Sequence, residues 1–501
     1  MPDYQGTSGN DTFYGADDLN QFLLEDGGSD TAYGNLGEDS FYFGATFDET
    51  DHIDGGGGFV DFLILRGEYS RQLTISGSMV TNVSNLVLAG AHEYNLKLAA
   101  DLLPTQGLII SASTVEQATI RLNGSEMIGF SFYSGISNSR LIGSSGSDAL
   151  FLMAGARVGF DGGEGFNLIG LYNATRGATV DLAIVDTYQN TRNGLVSLRN
   201  VSRVDGTPFA DRLFGEDGNN MIIGAGGSDK LYGRGGDDFI MPVLGISSTD
   251  AAAARNFIDG GDGTDLVSFL ASHYLRSGVT VDLNSRQAQD TGYGTIIFRS
   301  VENLSGSNYD DTITGDRNAN ALFGGRGVDH LFGGNSNDML WGDAISFFSA
   351  ELGTFAVNPV DGGWFGDTLD GGVGDDWIDG GGGDDVIIGG RGADILIGGA
   401  GNDLFVYNEI KDSTAHKADT IRGFETGDRI DLSGIDADSR TLGDNAFHLG
   451  RTDDRAGDLV VDYLHASDQT RIRLYIDGDN RADGIIYLDG QIPLTEANFV
   501  F

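Results

Sequence analysis

The chain of 501 residues contains no cysteine, six prolines and three tryptophans. Without cysteine it has no disulfides, no thiolate metal ligands and no thiol nucleophile, so stability outside the cell has to come from another kind of cross-link. Basic residues are scarce as well: 30 Lys and Arg stand against 74 Asp and Glu, a formal charge of -44. Such a charge disfavours nucleic acid and anionic membranes as partners and favours cations. No stretch approaches the ~18 consecutive apolar residues of a membrane-spanning helix. The opening MPDYQGTSGNDTFYG has neither the basic nor the apolar segment of a cleavable signal peptide, so none is expected. What is abundant is glycine, with 79 residues, and apolar material, with 40% hydrophobic residues including 29 Phe and 17 Tyr. That is more than a solvated acidic tail carries, so a core can form once the charge is neutralised.

The glycines and aspartates are ordered. From Gly362 to Val406 five nonapeptides run without a gap: GGWFGDTLD, GGVGDDWID, GGGGDDVII, GGRGADILI and GGAGNDLFV. Asp always holds the sixth position and an apolar residue the eighth. Paired glycines permit turn conformations closed to other residues, and the apolar residue points inward from a very short strand. Two nonapeptides make one coil, which places Asp367 against Asp385, Asp376 against Asp394 and Asp385 against Asp403. Carboxylates so close repel one another unless a hard cation with six to eight oxygen ligands lies between them, and calcium fits best.

This pattern resembles the RTX family of calcium-binding nonapeptide repeats. The resemblance implies an all-β fold, a parallel β-roll or β-helix solenoid with calcium-binding turns, and multiple Ca2+ ions as cofactors. Related blocks begin at Gly6, Gly206 and Gly306, the last two a hundred residues apart. The sixth-position residues expected to bind metal are Asp11, Asp30 and Asp39 in the first block, then Asp148 in an isolated repeat. Asp211, Asp229, Asp238 and Asp265 follow, and then Asp311, Asp329 and Asp338. In the tandem run they are Asp367, Asp376, Asp385, Asp394 and Asp403. Asn20, Asn220 and Asn320 hold the same position in the second repeat of each related block; an amide can supply a carbonyl ligand without charge, so weaker calcium sites are expected there.

These features divide the chain into an N-terminal repeat block (1–54), β-helical rungs with isolated repeats (55–205), a repeat block with irregular rungs and an insertion (206–305), a β-roll with an apolar insertion at 343–361 (306–406), and a C-terminal cap (407–501). Between blocks, TVDLAIVDTYQNT near Val180 aligns with TVDLNSRQAQDTG near Val281. The cap contains ADTIRGFETGDRIDLSGID and resembles the serralysin C-terminal region. That resemblance implies further calcium ligands at Asp419, Asp428 and Asp431, the alternative being a polar hairpin surface. Asp477, Asp479 and Asp483 are weaker candidates, because their spacing is an incomplete EF-hand. The ending LTEANFVF is similar to the signals of type I secretion substrates, which implies export to the extracellular space or cell surface.

Catalytic signatures are missing. His92 and Glu93 begin HEYNLK, but Leu96 stands where a zinc helix would place its second histidine. GSSGSD at Gly143 fits a calcium repeat, not a nucleophile elbow, and the DPH signature of mannuronan epimerases is absent. Paired carboxylates cannot be read from a sequence in which aspartate is everywhere. The expectation is therefore a non-enzymatic surface, matrix or self-assembling component, similar to adhesins and surface-layer proteins. The alternative is an extracellular polysaccharide-active lyase, epimerase or glycosidase with its cleft between residues 55 and 200. Expected partners are calcium, the type I secretion machinery, and cell-surface polysaccharide or further copies of the chain. Phe347, Phe348, Phe355 and Trp364 of the insertion, with Trp341 and Trp377, either form a sugar-stacking or self-assembly surface or pack the insertion over the tryptophans.

Overall fold

The computed structural model describes residues 3–501 except 58–59, 90–92, 100, 102–107, 113–116, 124–129, 135–136, 144, 172–173, 243–253, 271–276, 350–353, 360–364, 442, 444 and 451–454. Among the described residues almost all regular structure is β-strand, mostly three to seven residues long. The chain divides into two compact units, residues 1–236 with 350–354, and residues 237–349 with 355–501.

In the first unit one face is a parallel ladder that starts with Asp3–Gln5, Gln21–Leu23, Ser40–Phe43, Phe62–Leu65 and Asn85–Leu88. It continues through Leu108–Ala112, Phe130–Ser134, Ala149–Leu152, Leu168–Gly170, Arg203–Asp205 and Met221–Ile223. A second parallel ladder joins Tyr69–Ile75, Glu93–Ala99, Gln117–Asn123, Ser137–Ile142, Arg157–Asp161 and Leu195–Arg199. The stretch that lacks the nonapeptide is thus built of the same parallel rungs with longer strands. Its alternation of apolar and polar residues places Leu96, Val158, Val196 and Leu198 inside, each at most 1% exposed.

The second unit contains the tandem repeats. Met339–Trp341, Trp377–Gly382, Ile395–Ala400 and Asp419–Arg422 stack in parallel on one face. On the other face His330–Asn335, Thr368–Val373, Val386–Arg391, Leu404–Val406 and Arg429–Asp431 do the same. The eighth-position residues Leu369, Ile378, Ile387, Leu396 and Phe405 fill the space between the faces, each at most 1% exposed. This is a parallel β-roll.

The apolar insertion lies within a turn and leaves the stacking intact. His330 pairs with Thr368, a step of 38 residues, in the register by which Thr368 pairs with Val386 after 18. The break falls earlier than the repeat reading places it: Gly342, before the insertion, serves as the first glycine of the turn that ends in Asp367. Gly362 and Trp364 lie outside the described residues. The insertion carries two strands, Ala344–Ser349 and Thr354–Pro359. Trp341 is half-buried and stacks on Phe323 with ring centroids 4.7 Å apart, while the Arg422 guanidinium lies 5.3 Å from the Trp377 ring centroid.

The cap is an antiparallel meander of Asp458–Leu464, Gln469–Leu474 and Gly484–Asp489. Its last strand also pairs in parallel with Asp419–Arg422, and Phe499–Val500 pairs with Arg429–Asp431. Both faces of the roll therefore end under the cap, which covers strand edges that would otherwise be open to pairing with other chains.

Candidate metal centres

The two glycines of the repeat serve different purposes. Gly372, Gly381, Gly390 and Gly399, at the second position, have φ between 88° and 103°, a region that side chains disfavour. The first-position glycine is needed for space. A Cβ on Gly380 would lie 2.3 Å from Asp385 Oδ2 and 2.7 Å from the Gly398 carbonyl oxygen. Gly342 stands in the same relation to Asp367 and the Gly380 carbonyl, at 2.3 and 2.4 Å. Each turn thus draws a carboxylate oxygen and a carbonyl of the next rung to one glycine.

The sixth-position aspartates form two columns through the roll. In each, the backbone N–H of one aspartate donates to Oδ1 of the next: Asp329 to Asp367 at 2.8 Å, Asp367 to Asp385 at 2.7 Å, Asp385 to Asp403 at 3.0 Å and Asp403 to Asp428 at 3.0 Å. The other column runs from Asn320 through Asp338, Asp376 and Asp394 to Asp419, with distances of 2.7 to 2.9 Å. Oδ1 is satisfied. Oδ2 of Asp329, Asp338, Asp367, Asp376, Asp385, Asp394 and Asp403 is buried without a hydrogen-bond partner, in residues at most 2% exposed. Asp39 and Asp265 repeat this state.

Burying charged oxygens without partners is costly. Desolvation accordingly pushes Asp367 up to about 9, Asp329 to about 8 and Asp385 to about 7, against the N–H bonds that lower them. Burial likewise raises Asp394 and Asp419, and the neighbouring Asp394 carboxylate raises Asp419 further. A cation would relieve both burial and repulsion. Among the described residues no group of three or more His, Cys, Asp or Glu side chains is arranged to hold a metal. A calcium ion in these turns therefore depends on carbonyl oxygens beside the carboxylates, the hard-oxygen set calcium accepts.

Not every predicted ligand is in this state. In the first turn of each related block a hydroxyl residue stands at the second position and binds the aspartate itself. Thr7 N donates to Asp11 Oδ2 at 2.6 Å, Thr207 N to Asp211 Oδ2 at 2.7 Å and Ser307 N to Asp311 Oδ2 at 2.6 Å, each with a hydroxyl bond of 2.9 Å as well. Asp428 Oδ2 accepts from Glu425 N at 2.7 Å. Asp431 lies outside the columns, on a strand, with Oδ1 bonded by Ser433 N. Asp30 accepts from Asp11 N at 3.0 Å, and Asp229 from Asp211 N at 2.9 Å. The N–H of Asp148 donates to Asn167 Oδ1, and that of Asp238 to Asp265 Oδ1. Asp477, Asp479 and Asp483 bind the backbone of their own turn and its flanking strand end.

The asparagine turns are closed from within. Asn20 is fully buried; its Oδ1 accepts from Ala16 N, and its Nδ2 lies 2.9 Å from the Ala16 carbonyl, 2.7 Å from that of Asp18 and 2.7 Å from Asp39 Oδ1. Asn220 and Asn320 accept from Glu216 N and Asp316 N at 2.6 and 2.7 Å, and Asn320 Nδ2 donates to the Glu302 carbonyl at 2.6 Å. Asn167 donates to the carbonyls of Glu164 and Asn200.

Asp51 and Asp61 were not expected in the columns, yet they accept from Asp30 N and Asp39 N at 2.9 and 2.8 Å. Their signal is an aspartate two residues before an apolar residue, Ile53 or Leu63, at spacings of 21 and 22 instead of 18.

Two family models agree with this geometry. Residues 4–23, 26–50, 205–240, 301–331 and 314–344 match the RTX calcium-binding nonapeptide repeat, and residues 371–501 match the Peptidase M10 serralysin C terminal. The chain contains RTX calcium-binding nonapeptide repeats and ends in a region that matches the serralysin C terminal. No curated protein matches it. Among solved structures, the chain is similar to the AlgE6R2 subunit of the Azotobacter vinelandii mannuronan C5-epimerase, with 23% identity over 38% of this chain and 92% of that one and a TM-score of 0.25. For the AlgE6R3 subunit the values are 22%, 39%, 79% and 0.19. For the extracellular lipase LipA of Serratia marcescens they are 17%, 62%, 44% and 0.22.

Proposed function

We propose that this RTX protein is secreted through a type I pathway and folds around several calcium ions outside the cell, where it serves as a non-enzymatic surface, matrix or assembly component. The observation that carries the reading is the series of buried, unpartnered Oδ2 atoms. Asp329, Asp367, Asp385 and Asp403 on one side and Asp338, Asp376 and Asp394 on the other would hold calcium together with carbonyls of the first-position glycines. The ion supplies positive charge where the fold buries negative charge. In a calcium-poor cytosol the columns repel and stay open, and external calcium closes them, so binding free energy becomes folding free energy. These aspartates are inside the stack and are not presented to a substrate, which supports a structural role for them.

Circular dichroism of the metal-free protein during calcium titration tests the folding claim, and a large gain of β signal is expected. An unchanged spectrum overturns it. Turnover of acidic polysaccharides by the calcium-loaded protein would instead support an enzyme.

A further inference from the structure

The chain carries a formal charge of -44, but one strip of the first unit is basic. Two neighbouring open grooves, of about 240 and 370 Å3, are lined by Arg140 and Arg199 in one and by Arg157, Arg176 and Arg192 in the other. Among the described residues, two acidic ones, Asp161 and Asp186, line them. In a chain of charge -44, five arginines against two aspartates is a local reversal of sign.

The parallel register creates the strip. Arg140 pairs with Gly159, which pairs with Ser197; Arg157 pairs with Leu195, and Asp161 with Arg199. The residues between these, Val158, Phe160, Val196 and Leu198, point into the core. Both aspartates are engaged. Asp186 takes two bonds from Arg199, and Asp161 accepts from Asn200 Nδ2 at 2.8 Å. Tyr188 is 41% exposed, and the Arg157 guanidinium lies 3.9 Å from its ring centroid. This stacked pair stands where the two grooves meet. Arg176 is oriented by its Nε bond to the Arg192 carbonyl at 2.7 Å.

We infer that this strip binds a linear carboxylated polysaccharide, a polyuronate, along the outer face of residues 140–199. Arginine forks match carboxylates, which recur along such a chain. The exposed tyrosine and the polar groups of Thr175, Asn190 and Ser197 suit sugar rings and hydroxyls. The site goes beyond the calcium-folding reading and uses none of its aspartates.

The test is calorimetry of the full-length, calcium-loaded protein with hexamers of galacturonate, against neutral maltohexaose. Binding of the uronate alone, weakening as salt is raised, is expected. The double variant Arg140→Gln, Arg157→Gln should bind at least ~10-fold more weakly, the loss of two charge-assisted contacts, and Tyr188→Ala should weaken both ionic and neutral contributions. The calcium-induced dichroism of each variant should match that of the parent, which separates loss of the site from loss of the fold. Equal affinity for the neutral hexamer, or a double variant that binds uronate like the parent, overturns the inference. So does a double variant that keeps uronate binding but no longer self-associates in sedimentation, which would assign the strip to a second copy of the chain.

Discussion

The turns that end in Asp385 and Asn20 occupy the same position in the repeat and differ by one terminal group, yet they solve the same problem in opposite ways. At Asp385 one oxygen takes the N–H of Asp367 and the other is buried without a donor. At Asn20 an amide nitrogen sits among carbonyls and the Asp39 carboxylate, so the positive end of an N–H dipole lies where calcium would bring charge. The first turns of the related blocks form a third kind, in which Thr7, Thr207 or Ser307 supplies the donors. One scaffold therefore contains turns that leave a buried carboxylate oxygen without a donor and turns that do not, and the hundred-residue period puts a hydroxyl turn and an amide turn at the head of a block.

Removing calcium should separate the two kinds most clearly. With a chelator, amide hydrogen exchange should rise by orders of magnitude at Leu369, Ile387 and Leu396 and much less at Phe22 and Leu213; uniform loss of protection would break the distinction. Next in size, Asp376→Ala with Asp394→Ala should move the calcium midpoint of the dichroism transition at least ~10-fold higher, because each substitution removes the buried sixth-position carboxylate of its turn. Gly380→Ala should destabilise the calcium-loaded roll by about 1–3 kcal/mol through overpacking of Asp385 and the Gly398 carbonyl, read as a lower thermal midpoint. An intermediate effect is expected for Asn20→Asp. It replaces a self-satisfied amide with a carboxylate facing Asp39, so it should destabilise the metal-free protein and add calcium dependence to the first block. If its metal-free stability is unchanged, the amide is not what closes that turn.

The smallest effect concerns pH. The folded-state values of Asp367, Asp329 and Asp385 are raised above the ordinary 3.8, to about 9, 8 and 7. In calcium-free buffer the folded form therefore holds more protons, and its stability falls as pH rises through those values. A modest gain of β signal between pH 8.5 and pH 5.5 in chelator is expected, whereas a loss would contradict it. With calcium present the direction reverses, because protons compete for the same oxygens.

Much of this was legible in the sequence. The sixth-position aspartate and eighth-position apolar residue specify a turn and an inward strand, and the alternating stretch between residues 55 and 142 forms parallel rungs. Three features were hidden by chemistry that spacing does not report. Threonine at the second position looks like a degenerate glycine, but its N–H and hydroxyl satisfy Asp11 and Asp211. Asparagine reads as a weaker ligand, although its nitrogen makes it a donor. Gly342 was missed because the insertion separates it from Asp367, and the nearer Gly362 and Gly363 imitate the consensus.

The aspartate columns have a direction. Each residue gives its N–H to the next and receives one from the one before, so fixing any carboxylate also fixes the backbone that holds its neighbour. Occupancy of one turn thus lowers the cost of filling the adjacent one, as in a one-dimensional chain with nearest-neighbour coupling. Such a chain responds to its ion over a narrow range of concentration and melts from its ends. A protein that crosses from a calcium-poor to a calcium-rich side would therefore switch state abruptly, with the boundary between the two compartments acting as the trigger.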